Sequence, residues 1–226
     1  MKFPTRPTST LKQLGAEYVL SVSAVGSLRE EIAPGHVVLP DQLIDRTKAR
    51  RSSFFGEGVV GHVSFAEPFC HELRNVLLGA VEGCGTTVHP RGTLVVMEGP
   101  AFSTRAESHM YRSWGAHIIG MTALPEAKLA REAELCYATL ALSTDYDCWR
   151  EEEEAVTVDA VVAVLKRNVS LAREVVRRAA LLLGKKPPRT CACSRATDNA
   201  IMTHDISPQD HARLQLIIGR TTPQPA

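Results

Sequence analysis

The stretch Leu135-Cys136-Tyr137-Ala138-Thr139-Leu140-Ala141-Leu142-Ser143-Thr144-Asp145-Tyr146-Asp147-Cys148-Trp149 decides the fold. Its first eight residues carry no charge and little polarity. Such a run suits a strand buried on both faces, as in a sheet covered by helices. It then breaks into Ser-Thr-Asp-Tyr-Asp. Open α/β sheets bind ligands at the carboxyl ends of their strands. Asp145 and Asp147 are two apart, so on a continuing strand they face the same way. Two acids there can accept hydrogen bonds from a ligand, or donate one where a pKa is raised. The same residues also suit a plain turn, which favours Asp. The pattern leaves both readings open.

Working outward, strand and helix patterns alternate. Upstream, Ile118-Ile119 reads as a short strand ending at Gly120-Met121-Thr122, and Pro125 opens a helix to about Glu134. Before it, Val88 to Met97 is a strand region running into Glu98-Gly99-Pro100-Ala101-Phe102. Thr104 and Glu107 then form a Thr-x-x-Glu capping box for a helix that stops at Gly115. Glu67 to Glu82 reads as a helix with Pro68 at its first position. Gly35 to Asp45 reads as one strand interrupted by Pro40, and residues 46–60 as a loop. Tyr18 to Ala24 is a strand that runs into Val25-Gly26-Ser27, preceded by a last helical turn at Leu11–Gly15. Downstream, an acidic run at Glu151–Glu154 precedes the long helix Val158–Leu183. Thr157 is its candidate N-cap, and Val158, Val161, Val162, Leu165, Val169 and Val176 form its core-facing stripe. Such alternation, with each strand ending in a small or polar cluster, predicts an α/β fold with site loops on one edge. The last twenty residues read as a ragged, flexible tail.

The 226 residues suit a single α/β domain, 1–226. With 26 basic and 25 acidic residues, the chain has no electrostatic footprint for nucleic acid or an anionic membrane. No apolar run approaches the roughly 20 residues that span a bilayer. The start, Met-Lys-Phe-Pro-Thr-Arg-Pro, lacks a signal peptide's apolar core. A cytoplasmic protein is expected. Cys191-Ala192-Cys193 suggests a redox pair or half a metal site. No second cysteine or histidine cluster with metal spacing is visible, so no metal is expected, and a disulfide across the pair would be strained.

Several stretches together resemble the purine nucleoside phosphorylase family, in its branch acting on S-methyl-5'-thioadenosine. They are Ser23-Ala24-Val25-Gly26-Ser27-Leu28-Arg29-Glu30-Glu31-Ile32, His62 with Ala66-Glu67-Pro68-Phe69-Cys70, and Glu98-Gly99-Pro100 through Phe102-Ser103-Thr104-Arg105-Ala106-Glu107-Ser108. Met121-Thr122 with Pro125-Glu126, and Ser143-Thr144-Asp145-Tyr146-Asp147-Cys148-Trp149, complete the set. The resemblance implies a central mixed sheet flanked by helices, and phosphorolysis to adenine and 5-methylthioribose 1-phosphate. Phosphate is then a co-substrate, no cofactor is needed, and the assembly is a homotrimer. By the same resemblance Asp145 and Asp147 face purine N7 and the exocyclic amine. Phe102 packs on the purine and Met121 under the sugar. Thr144 and His62 lie near the sugar and its 5' side, and Val158 lines the methylthio pocket. Ser23, Ala24 and Thr122 contact phosphate.

The chain departs from the family at Gly120, where Asn is usual, and at Ala101, where a larger polar residue is usual. It also starts after the family's Gly-rich first turn and Arg-His-Gly stretch, which serve the phosphate site and the first strands. A sheet lacking strands, with an exposed edge, is therefore expected. So is an alternative to the active enzyme: a catalytically impaired, purine-binding or assembly-only remnant. A nucleosidase is a third reading, and no base to activate water is evident for it. Of the arginines near the motifs, Arg29 is expected to pair with Glu30-Glu31, and Arg105 to serve structure.

Overall fold

The computed structural model describes residues 6–150, 158–185 and 188–222. Thr157 and the acidic run at 151–154 lie outside them, as do the side chains of Val158, Val161, Val162 and Leu165. The elements are α1 (Arg6–Gln13), β1 (Tyr18–Ser27), β2 (Val37–Val38), β3 (Gln42–Arg46), α2 (His71–Val81), β4 (Val88–His89) and β5 (Thr93–Met97). They continue with α3 (Arg105–Ser113), β6 (Ile118–Gly120), α4 (Ala123–Glu132), β7 (Cys136–Tyr146), α5 (Val158–Leu183) and α6 (Pro208–Ile218). The sheet is mixed, seven-stranded and ordered β3-β5-β6-β1-β7-β2-β4. The α/β expectation holds.

The focal stretch becomes β7, and its lack of polarity has the expected cause. Tyr137 and Ala141 join a core with residues of α4 and α6, while Cys136, Ala138, Leu140 and Leu142 join another with α2 and α5. Alternate side chains thus enter two separate cores, which only a strand covered on both faces requires. β1 runs parallel to β7 through ten residue pairs.

Proline splits what the sequence reads as single strands. Around Pro40, the expected strand becomes β2 and β3, which lie far apart in the sheet. Around Pro90, the region Val88–Met97 becomes β4 and β5 in the same way. A proline lacks the N–H that a central ladder needs, so the chain leaves one side of the sheet and joins the other. The helix expected from Glu67 starts only at His71, with Cys70 as N-cap, so Pro68 precedes it. The capping box forms as read: Thr104 accepts from the Glu107 N–H while the Glu107 carboxylate accepts from the Thr104 N–H. On α5 the stripe is misread at its described positions. Asn168, Ala172, Val175 and Ala179 are buried, whereas Val169 and Val176 face solvent.

The helical turn read at Leu11–Gly15 is the end of the longer α1, and the C-terminal end differs from expectation. Residues 6–10 are helical and bury Thr8 and Ser9, which lack the apolar signature of a helix face. The expected flexible tail contains α6, whose His211, Leu214, Ile217 and Ile218 are buried. Ser207 caps it by accepting from the Asp210 N–H, and Pro208 opens it. The exposed edge does exist. β1 pairs with β6 only at Gly26 and Ser27, so on that side Tyr18–Val25 has no ladder partner among the described residues.

Replacing Leu214 by Ala tests whether α6 belongs to the core. Leu214 is 2% exposed, and truncating such a residue costs about 2–5 kcal/mol. Urea denaturation should show a loss of that size; an unchanged midpoint would mean that α6 is not docked.

Candidate functional site

The carboxyl ends of β1, β5, β6 and β7 meet at one cavity of about 340 Å³. Ala24, Val25 and Gly26 line it from β1, Met97 from β5, Ile119 and Gly120 from β6, and Thr144 and Asp145 from β7. Met121, Thr122, Phe102 and Asp147 complete the wall from the loops.

The register of β1 on β7 decides how the acids are aimed. Val25 pairs with Ser143 and Gly26 with Asp145, so Thr144 is an extra residue in β7. Strict alternation would send Thr144 and Asp145 to opposite faces; a bulge at this point lets both reach the cavity. Thr144 Oγ1 lies 2.5 Å from Asp145 Oδ1 and 3.2 Å from the Val25 carbonyl. The Asp147 backbone N–H and the Trp149 indole N–H both donate to the Ser27 carbonyl, at 3.0 and 2.8 Å. Arg112 stacks on the Trp149 ring at 3.5 Å, and Tyr146 meets it edge-on. The segment after β7 is thereby clamped to the end of β1. Asp147 Oδ2 is buried and has no hydrogen-bond partner among the described residues. A buried acceptor without a donor is costly, and this one keeps the capacity to accept a hydrogen bond at the cavity wall.

At β1 and the start of α4, Ser23 Oγ and Thr122 Oγ1 hydrogen-bond at 2.9 Å. Thr122 is the N-cap of α4, yet its side chain caps nothing. Its hydroxyl joins Ser23 instead, and the non-helical Leu124 sets the regular helix further on, so two adjacent hydroxyls stand at the cavity wall. Such a place suits an anion's oxygens. Yet the cavity lining contains no Lys, Arg or His. Arg29 is engaged otherwise than expected: its Nε donates to the Ala116 carbonyl at 3.0 Å, not to the adjacent glutamates.

Arg50 is the residue that sequence reading missed. It sits in the segment 46–60, read only as a polar loop. Its guanidinium donates to the carbonyls of Met97, Glu98, Met121 and Leu124, and its Nε to Glu98 Oε1. One planar fork therefore ties the end of β5 to the end of β6. The Lys48 N–H and then Arg50 hold the Glu98 carboxyl below its usual range. A single arginine in a loop has no sequence signature for this task; only the unsatisfied carbonyls at two strand ends create it. Gly99 completes the arrangement. Its φ is +70°, and a Cβ there would come within 2.7 Å of Met121 Sδ.

The expected site residues fall into three groups. Asp145, Asp147, Phe102, Met121, Thr144, Ala24 and Thr122 line the cavity together, and Ser23 bonds to Thr122. Phe102 stands 82% exposed at the rim. His62 is not among the lining residues; its N–H donates to the Ala200 carbonyl. The Val158 side chain lies outside the described residues. Of the two departures, Gly120 lines the cavity and Ala101 does not.

The sequence model of the phosphorylase superfamily matches residues 4–180. The chain belongs to the phosphorylase superfamily. Among the relatives of this phosphorylase chain is the S-methyl-5'-thioadenosine phosphorylase of Geobacter sulfurreducens, 53% identical over 212 residues, which are 92% of this chain and 73% of that one. That of Koribacter versatilis is 54% identical over 211 residues, covering 92% and 72%. Among solved structures, a methylthioadenosine phosphorylase from an antarctic soil metagenomic library superposes with a TM-score of 0.89 at 46% identity, over 93% of this chain and 75% of that one. The Schistosoma mansoni methylthioadenosine phosphorylase in complex with tubercidin gives 0.79 at 32% identity, over 86% and 76%.

The lack of a second cysteine group holds only along the sequence. Cys70 and Cys136, remote in sequence, fold against Cys191 and Cys193, so the pair does have further thiols beside it. Linear spacing misses a cluster that three separate segments assemble.

Replacing Arg50 by Lys keeps the charge and loses the fork. Steady-state kinetics should show turnover falling by about 10²-fold, the cost of roughly 1 Å of misplacement, with the circular dichroism spectrum intact. Unchanged kinetics would show that the two strand ends hold themselves.

Proposed function

We propose that this chain catalyses phosphorolysis of S-methyl-5'-thioadenosine to adenine and 5-methylthioribose 1-phosphate. The observation that carries the reading is Asp147 Oδ2, buried and without a donor, beside Asp145 in a cavity whose wall also holds the Ser23–Thr122 hydroxyl pair. The named activity of the relatives supports the same reading. A carboxylate oxygen lacking a donor accepts from an exocyclic amine and not from a 6-oxo group, which favours adenine over hypoxanthine or guanine. Asp145 then faces N7.

The chemistry follows from that placement. A phosphate oxygen forms a bond to the anomeric carbon as the C1'–N9 bond breaks, and the electron pair of that bond stays on the purine. The transition state is a sugar cation flanked by two anions. Its stabilisation rests on relieving charge on the leaving base. In its protonated form Asp145 gives its proton to N7, so adenine departs neutral. Phe102 covers the base and Met121 supports the sugar, while Val25, Met97 and Ile119 make the remaining wall apolar. Such a wall disfavours an unpartnered 5'-hydroxyl and accepts a methylthio group. The reading includes catalysis without a cofactor and a homotrimeric assembly, both resting on the family resemblance, in the cytoplasm. No helix among the described residues is long and apolar enough to cross a membrane.

Asp145→Asn should lower turnover of methylthioadenosine by about 10²–10⁴, the usual range for lost acid–base assistance. Turnover at the wild-type rate would remove Asp145 from the acid role. A second experiment concerns phosphate. The cavity lining offers it hydroxyls but no cation, and two carboxylates share the same wall. A desolvated phosphate needs charge compensation. Titration calorimetry of the chain should therefore show adenine binding measurably and phosphate alone binding far more weakly. Tight phosphate binding would mean that a cation outside this lining reaches the site, and weak binding with no turnover would favour the purine-binding remnant.

A further inference from the structure

The end of β7 opposite the acids carries a second constellation. Cys70 caps α2, Cys136 opens β7, and Cys191 and Cys193 flank the first residue of a 3-10 turn beyond α5. All four Sγ atoms lie within 4.8 Å of one another, and Cys136 Sγ is 3.3 Å from Cys191 Sγ. Cys70, Cys136 and Cys193 are buried and Cys191 partly so, and all four are free thiols. Along β7 the cluster is about 30 Å from Asp145, at roughly 3.3 Å per strand residue.

We propose that these four thiols form a mononuclear structural site for a thiophilic divalent cation, zinc by preference. Tetrahedral coordination with Zn–S bonds of about 2.3 Å sets neighbouring sulfurs about 3.8 Å apart. The observed cluster is of that size. Four-iron or two-iron clusters need their cysteine sulfurs spread wider than this. Four protein ligands leave no open position, so the site holds structure and takes no part in phosphorolysis.

The surroundings match the charge of the occupied site. A zinc ion with four thiolates carries two negative charges. The Arg189 guanidinium lies 3.9 Å from Cys136 Sγ and also donates to the Glu134 carbonyl, which fixes its position. Arg131, anchored on the Glu67 carbonyl, supplies a second positive field. Binding would displace the thiol protons to solvent, and the ion would tie together the start of α2, the start of β7 and the turn that follows α5.

The test uses the full chain, purified under reducing conditions and given zinc and then dialysed. Native mass spectrometry and elemental analysis should find one zinc ion per chain. Cobalt in its place should give the intense visible bands and sulfur-to-metal charge transfer of a tetrahedral tetrathiolate. The Cys191→Ser, Cys193→Ser double variant should lose the ion, whereas Cys84→Ser, whose thiol lies outside the cluster, should keep it. Should the double variant fail to fold, Cys193→His, which retains a nitrogen ligand, should bind cobalt with weaker charge transfer. The proposal is overturned if the reduced wild-type chain takes up no zinc, if the double variant keeps it, or if peptide mapping finds two of these cysteines as a disulfide and the reduced chain still binds no metal.

Discussion

The parallel pairing of β1 with β7 is the constraint on which the rest depends. Ten residue pairs lock the two strands, and the one-residue slip at Val25/Gly26 sits at their shared carboxyl end. A ladder this long fixes register, because a slip by one residue would exchange the two cores that β7 feeds. The one irregularity in the ladder is therefore confined to its end, as a bulge. That bulge is what places Thr144 and Asp145 on the same cavity, with Asp147 close behind. The site is a by-product of how a fully buried strand ends.

Around this core the site is held mainly by carbonyl groups that strand ends leave over. Backbone acceptors must find donors once water is excluded. Ser27 finds two, the Asp147 N–H and the Trp149 indole, and these fix the acidic segment. Met97, Glu98, Met121 and Leu124 find one arginine, Arg50, and this fixes the opposite wall. Asp147 Oδ2 keeps its acceptor capacity, and the Ser23 and Thr122 hydroxyls bond chiefly to each other. The resulting wall is acidic beside Asp145 and Asp147 and uncharged at the hydroxyls.

Much of this was legible in the residues. Alternate burial of an uncharged run predicts a doubly covered strand, and two acids after it predict a polar end. The capping box Thr104–Glu107 was readable because a cap acts within one turn. The resemblance to the nucleoside phosphorylases named most of the lining. Less local features were misread. Pro40 was seen as an interruption, although it sends the chain from one side of the sheet to the other. Ser207-Pro208 was a helix start hidden in a segment without an evident apolar stripe, and burial of His211 shows why: one of its core positions is polar. His62, expected near the sugar, stands outside the cavity lining, with its backbone N–H on the Ala200 carbonyl.

By itself the sequence determined the fold class, the buried strand and the acids at its end, because hydrophobic period, capping and turn chemistry act over a few residues. Tertiary structure decided which carbonyls Arg50 would satisfy, that Thr144 would be the extra residue of the bulge, and that Cys70 and Cys136 would meet Cys191 and Cys193. Each of these joins groups that lie tens of residues apart or depends on register between strands. Such relations follow from how the sheet is ordered and packed, and no local pattern of residues carries them.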